Sequence, residues 1–227
     1  MTRKEIEETG LSLVALLMAA VAPNIFPAAQ AGYAKMSFLA TRLLFPSIAV
    51  LLLVVVVGFS RGHARMMRRL LAGAGAGIVA TLGLEVVRMT SFHFGGMPGD
   101  LPRLMGVLLT DRFMLGPSLL SDTLGYLYHL WNGAAFGIIF AVILGRRPLW
   151  WAIVFSQLLG LGFLLSPVVK SMGIGFMGTD MPAMPLTVVL AHLAYGLILG
   201  LLTRRWVRGE DWLLEAWLRP IRGTSPP

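Results

Sequence analysis

Residues 43–59 read LLFPSIAVLLLVVVVGF, seventeen positions without a charge that close on the unbroken run Val54–Val57. That length approaches the roughly 20 apolar residues a helix needs to cross the hydrocarbon core of a bilayer. Five further stretches of the same kind flank it: Leu11 to about Ala29, Leu70–Met89, Leu124–Leu144, Leu149–Val169 and Pro185–Leu202. None alternates apolar and polar residues over ten positions, so the pattern is that of a helix bundle and not of a membrane barrel. The sequence therefore predicts an all-α, polytopic membrane helix bundle with about six transmembrane helices.

Composition agrees. The 227 residues are 56% hydrophobic and only 13% charged, with mean hydropathy +0.76. A soluble domain carries about a quarter of its residues charged. There is no cysteine, which removes disulfide frameworks, zinc–cysteine sites and cysteine-ligated iron–sulfur clusters from consideration.

The first stretch admits two readings. Ala29-Gln30-Ala31 before Gly32 fits a small-x-small cleavage site, but Glu5, Glu7 and Glu8 outweigh Arg3 and Lys4 where a signal peptide wants positive charge. A retained helix kinked near Pro23 and Pro27 is the expectation.

Basic residues suggest the orientation. Arg61, Arg65, Arg68 and Arg69 follow span two, Arg146 and Arg147 follow span four, and Arg204, Arg205 and Arg208 follow span six. With Arg3, Lys4, Arg219 and Arg222, 13 of the 19 basic residues fall on one side, as do five of the six tryptophans. The positive-inside rule places that side, and both chain ends, in the cytoplasm. The net charge of +8 is thus read as a topology signal and a headgroup contact, not as a nucleic-acid patch. The expected partners are the lipid bilayer and other membrane-protein subunits.

Three segments emerge from this pattern: a two-helix part over 1–69, a four-helix unit over 70–208 and an amphipathic cytoplasmic tail over 209–227. In the tail, Leu213, Leu214, Trp217 and Leu218 share a face suited to an interfacial helix. A second non-spanning helix is expected in the outer loop, with Asp100 as N-cap and Pro102 in the first turn. Its Leu101, Leu104, Met105, Leu108 and Leu109 share a face that suits an interfacial helix or a lid.

Spans four and six repeat one device. His129-x-x-x-Gly133-x-x-x-Gly137 and His192-x-x-x-Gly196-x-x-x-Gly200 run in the same direction, and steps of four keep the three positions on one stripe. The glycines form a groove that admits another helix or a flat cofactor. Both histidines sit roughly 7–11 Å below the outer end of their spans at 1.5 Å per residue. Glu85 reaches the same depth on span three, and His93 lies just above. Ionisable groups at such depth are costly and point to function. Glu85, His129 and His192, with His93 nearby, would suit copper, zinc or iron; the two histidines alone would suit the axial positions of a b-type haem. Eight methionines lie in or beside the outer half (among them Met89, Met97, Met105 and Met184), and thioether favours Cu(I).

The same residues also have structural readings. Arg88 stands three positions after Glu85 and could pair with it, and the histidines could bond across helices to Asn132, Tyr128, Tyr195 or Thr81. Gly75-x-Gly77-x-x-Ala80 matches a dinucleotide fingerprint only in letters, since it opens no βαβ unit. No Walker, G-x-S-x-G or H-E-x-x-H motif is present, so no reaction is indicated. The cytoplasmic halves offer Thr81, near mid-membrane, Ser156 and Gln157, too few for a charged relay across the bilayer.

From about Ala72 to Arg204 the order of features resembles a family of small bacterial multi-pass membrane proteins of unknown function. The resemblance rests on the glycine-rich helix ending in Ala80-Thr81, the Pro/Gly-rich loop Gly95 to Pro102, and the paired H-x-x-x-G helices separated by one lacking histidine. It implies the fold and a bacterial inner-membrane location, and no activity. The function expected is a membrane binding or accessory protein with an outer-leaflet metal or haem site. The alternatives are a structural subunit of a larger complex and a small-solute carrier.

Overall fold

A computed structural model describes residues 3–207; the expected amphipathic tail, 209–227, lies outside the described residues. Six helices are long and apolar enough to cross a membrane, and among the described residues there is no strand. The protein is a polytopic helical bundle, as its hydrophobic runs require.

The first span, α1 (Arg3–Gln30), stays helical through Pro23 and Pro27. Proline removes a backbone donor and breaks the i→i−4 ladder locally. The Tyr128 hydroxyl enters beside that break, donating to Ala22 O at 2.6 Å and accepting from Phe26 N at 3.3 Å. The acidic start of α1 has partners too: Glu7 lies 3.8 Å from Arg61 and 3.5 Å from the buried ring of His63. The second span comprises α2 (Met36–Leu39), a π-turn over Ala40–Leu44, and α3 (Phe45–Ser60). Pro46 cannot donate back into the preceding turn, and the wider π-turn accommodates it.

The third span, α4 (Ala64–His93), begins within the basic cluster. After it comes the loop helix α5 (Leu101–Leu109). The fourth span, α6 (Leu119–Ile143), starts five residues earlier than hydropathy suggests. A capping box explains the extension: Ser118 Oγ accepts from Ser121 N at 3.3 Å, and Ser118 N donates to Ser121 Oγ at 2.7 Å. The fifth span is α7 (Leu149–Leu164) followed by the short α8 (Pro167–Ser171), and the sixth is α9 (Ala183–Trp206).

The tightest packing joins α4 to both α6 and α9, with α7 laid along α9 and α1 against α6. Small residues permit these approaches. A Cβ at Gly77 would run into the Gly133 carbonyl, and one at Gly73 would stand 2.6 Å from Gly137 O. Thus the G-x-x-x-G stripe of α6 meets a matching stripe on α4. The stripe of α9 faces α7 instead: a Cβ at Gly196 would lie 2.8 Å from Ala152 O, and one at Gly200 would lie 2.9 Å from Ala152 Cβ. Both grooves are filled by neighbouring helices. The expected cradle for a flat cofactor along these glycines is therefore occupied by protein backbone and side chains, which corrects the haem-groove reading.

The loop helix α5 folds back over the bundle end opposite the arginine-rich connections. Its buried residues are Leu101, Pro102, Met105, Gly106 and Val107, and it presses on α6 where Gly106 meets the Ser121 carbonyl. Of the expected apolar face, Leu104, Leu108 and Leu109 are only partly buried.

Candidate functional site

At that same end, α4, α5 and α6 bring their ionisable side chains together. Arg88 donates from Nε to Glu85 Oε1 at 2.7 Å and from Nη2 to Glu85 Oε2 at 2.6 Å, a two-point pairing within one helix turn. Its Nη2 also lies 3.0 Å from Asp100 Oδ1. On the other side of the carboxylate, His129 Nε2 stands 3.0 Å from Glu85 Oε1. Tyr126 closes the set, donating to Asp100 Oδ2 at 2.9 Å. The side chains of Arg88, Asp100 and Glu85 are 5%, 8% and 12% exposed.

Depth matching thus found a true neighbour pair in Glu85 and His129, and the Glu85–Arg88 reading holds as well. Asp100 is the surprise. It occupies the N-cap position of α5, yet its side chain makes no capping bond. A cap stabilises by about 1 kcal/mol, whereas a carboxylate buried without a counter-charge costs several, so Asp100 turns to Arg88. Tyr126 and Asp100 were not legible as members of this network; the only hint was Tyr126 at i−3 from His129.

The other two histidines of the expected set do not join them. His192 Nδ1 is 2.8 Å from Val188 O on its own helix, and its ring rests on Gly160 of α7, where a Cβ would stand 2.9 Å from His192 Cγ. His93 is exposed, with Nδ1 2.7 Å from Met89 O. Among the described residues no group of three or more histidines and carboxylates gathers where a metal ion could be held. The expected set of Glu85, His129, His192 and His93 is not assembled: Glu85 is spent on Arg88 and His129, and His192 and His93 each bond to their own helix. Methionine acts as filler, with Met97, Met105 and Met184 buried in the core and Met114 91% exposed.

Three of the four expected cross-helix partners of the histidines are engaged elsewhere. Tyr128 bonds to the backbone of α1, Tyr195 donates to Gly133 O at 2.9 Å, and Thr81 donates to Gly77 O at 2.8 Å. Ser156 donates to His192 O at 2.6 Å and Gln157 to Val189 O at 3.1 Å, pinning α7 to α9.

What His129 and His192 do share is a cavity. A space of about 520 Å³ lies between α1, α4, α6, α7 and α9, with Leu101 and Met105 of α5 on its wall. Arg88, His129, Asn132 and His192 all line it, while Glu85 and Asp100 stand behind. The lining is otherwise largely apolar. Its volume lies in the range of about 300–1,000 Å³ typical of small-molecule sites.

Fold and site together define a multi-pass helical membrane protein with a largely apolar internal cavity backed by a buried ion-pair network. No protein-family model, no curated protein and no solved structure matches the chain.

Proposed function

We propose that this chain is a membrane-embedded binding protein whose ligand site is the cavity between α1 and α9, rather than a metal or haem centre. The observation that carries the reading is the convergence of Arg88, His129, Asn132 and His192, from three spans, on one apolar space of about 520 Å³. Polar groups that converge on an apolar pocket fix a ligand's orientation. The carrier alternative has less support, because Ser156 and Gln157 are consumed in holding α7 to α9. The structural-subunit alternative draws on Glu85, whose carboxylate is held between Arg88 and His129 and does not line the cavity.

The proposed setting is a bacterial inner membrane with the arginine-rich side, and both chain ends, in the cytoplasm. The support is the positive-inside asymmetry together with the family resemblance. Because the chain lacks cysteine, single cysteines report topology cleanly. One at Phe113 is expected to react with a membrane-impermeant maleimide in whole cells, and one at Arg146 only after lysis; the reverse pattern inverts the orientation.

Binding itself is tested with a blocking variant. Gly162 lines the cavity, and a Cβ built there meets nothing within 4 Å, so Gly162→Trp enters open space. Protein isolated in its native lipid patch is expected to retain a small molecule near one per chain, identified by mass spectrometry, that Gly162→Trp lacks. Equal small-molecule content in the two proteins overturns the reading.

A further inference from the structure

The cavity wall carries a chemical signature beyond its shape, and the ligand class it selects rests on the binding role proposed for that cavity. Some of its polar groups are already satisfied: Thr81, Thr187 and Tyr195 donate to backbone carbonyls. Asn132 is different. It is 9% exposed, and its Oδ1 is buried with no hydrogen-bond partner. An orphaned polar atom of this kind costs about 1–3 kcal/mol, which a suitable ligand relieves. His192 adds a second open position. A carbonyl only accepts, so the Nδ1 beside Val188 O carries the proton and Nε2 is left as an acceptor on a ring that lines the cavity. Ser166 also lines the space with a buried, unpartnered hydroxyl.

Charge narrows the class of ligand. Arg88 is the fixed cation on the wall, and Glu85 and Asp100 already face it from behind. Arg88 Nη1 is buried without a hydrogen-bond partner and can donate to an uncharged oxygen, whereas an anionic head would compete with two carboxylates for the guanidinium charge. A cationic head would find no carboxylate on the wall. An uncharged head fits, and it must bond to Asn132 and His192. A hydroxyl carries one proton: with the Asn132 amide turned to present Nδ2 it accepts there and donates to His192 Nε2, and with Oδ1 presented it donates to one of the two acceptors at a time.

The mouth of the cavity indicates the body of the ligand. Asn24 on α1 and Leu158 and Gly162 on α7 line the space and are also exposed on the flank of the bundle, Leu158 at 61%. That gap, between two helices that do not pack along each other, faces hydrocarbon in a spanning bundle. We infer that the cavity admits, laterally from the bilayer, an uncharged amphiphile whose hydroxyl head is held by Asn132 and His192 and whose apolar body lies against α1 and α7.

The test is photolabelling of the full chain in lipid nanodiscs with a diazirine-tagged 1-decanol, competed by 1-decanol, decanoate and decyltrimethylammonium. The three competitors share a ten-carbon tail and differ in head charge. The inference expects label on cavity-lining peptides, competed at least about tenfold better by decanol than by either ion, which corresponds to one hydrogen bond's worth of selectivity. Asn132→Leu is expected to weaken that competition about tenfold and Gly162→Trp to abolish the labelling. Stronger competition by decanoate or by the ammonium overturns the uncharged-head inference while leaving a binding cavity in place. An unchanged decanol response in Asn132→Leu overturns the assignment of the head to that residue. Label that no competitor displaces and that persists in Gly162→Trp reflects partition into lipid, and it sinks the binding reading itself. The competition series on the unmodified chain decides the head class even if either variant misfolds.

Discussion

The two H-x-x-x-G helices are alike in sequence and opposite in use. In α6 the stripe closes on α4, glycine backbone against glycine backbone, and His129 above it meets the Glu85 carboxylate at 3.0 Å. In α9 the stripe receives Ala152 and Leu149 of α7, and His192 bonds to its own helix while its ring faces the cavity. The motif therefore specifies only that something approaches closely at one face with an imidazole above it. The facing helix decides what the imidazole does: α4 offers a carboxylate at that level, and α7 offers Gly160.

The sharpest way to break this contrast is to remove the ion-pair network that distinguishes the α6 side. Arg88→Met leaves two buried carboxylates without their guanidinium, with only His129 beside Glu85 and Tyr126 beside Asp100. Breaking a buried pair from one side typically costs about 3–5 kcal/mol. For a chain of this size that is a fall of roughly 10 °C in the thermal midpoint, measured in detergent. A loss no larger than that of an exposed arginine, such as Arg42→Met, would mean the network holds nothing together.

Next in size is the backbone crossing. Gly77→Ala drives a methyl into the Gly133 carbonyl, which cannot move without shifting α6. A cost on the order of 1–3 kcal/mol is expected from such overpacking. Gly200→Ala on the other stripe meets the Leu149 side-chain end at 2.6 Å and Ala152 Cβ at 2.9 Å. Leu149 can turn aside, so the loss there is expected to be smaller. Equal losses in thermal unfolding would show that the two stripes are packed alike after all.

Tyr128→Phe probes a third attachment, that of α1 to α6. It leaves the Ala22 carbonyl and the Phe26 amide beside the Pro23 break without their shared partner. About 1–3 kcal/mol is expected, with faster proteolysis of α1 than of α4 as the local readout.

Much of this was legible in the sequence, for physical reasons that also mark where legibility ended. Spans follow from apolar length, which the bilayer itself imposes. Residue depth along a span follows from helical rise, and that alone brought Glu85 beside His129. What one chain's periodicity does not encode is azimuth: depth put His192 and His129 at one level but not in one cluster, so the three-ligand expectation failed on rotation rather than height. Asp100 failed differently. A local rule made it a cap, and a long-range charge outbid the rule. In the sequence Asn132 reads only as a partner for histidine, because an orphaned oxygen is a property of the packed surroundings and leaves no mark in the order of residues.

The smallest expected effect separates the two histidines themselves. His129→Ala removes a neighbour of a buried carboxylate and is expected to cost about 1.5 kcal/mol, the scale of a hydrogen bond to a charged group. His192→Ala removes a bond to Val188 O, a carbonyl that already sits in the α9 backbone ladder and keeps its helical partner. Its stability loss is therefore expected to stay below about 1 kcal/mol, while decanol competition in the photolabelling assay weakens. The pair of measurements orders the roles: His129 registers in the melting curve and His192 in the binding curve. If His192→Ala melts as early as His129→Ala and competition is unchanged, both imidazoles are packing elements, and the likeness of the two helices extends to their use.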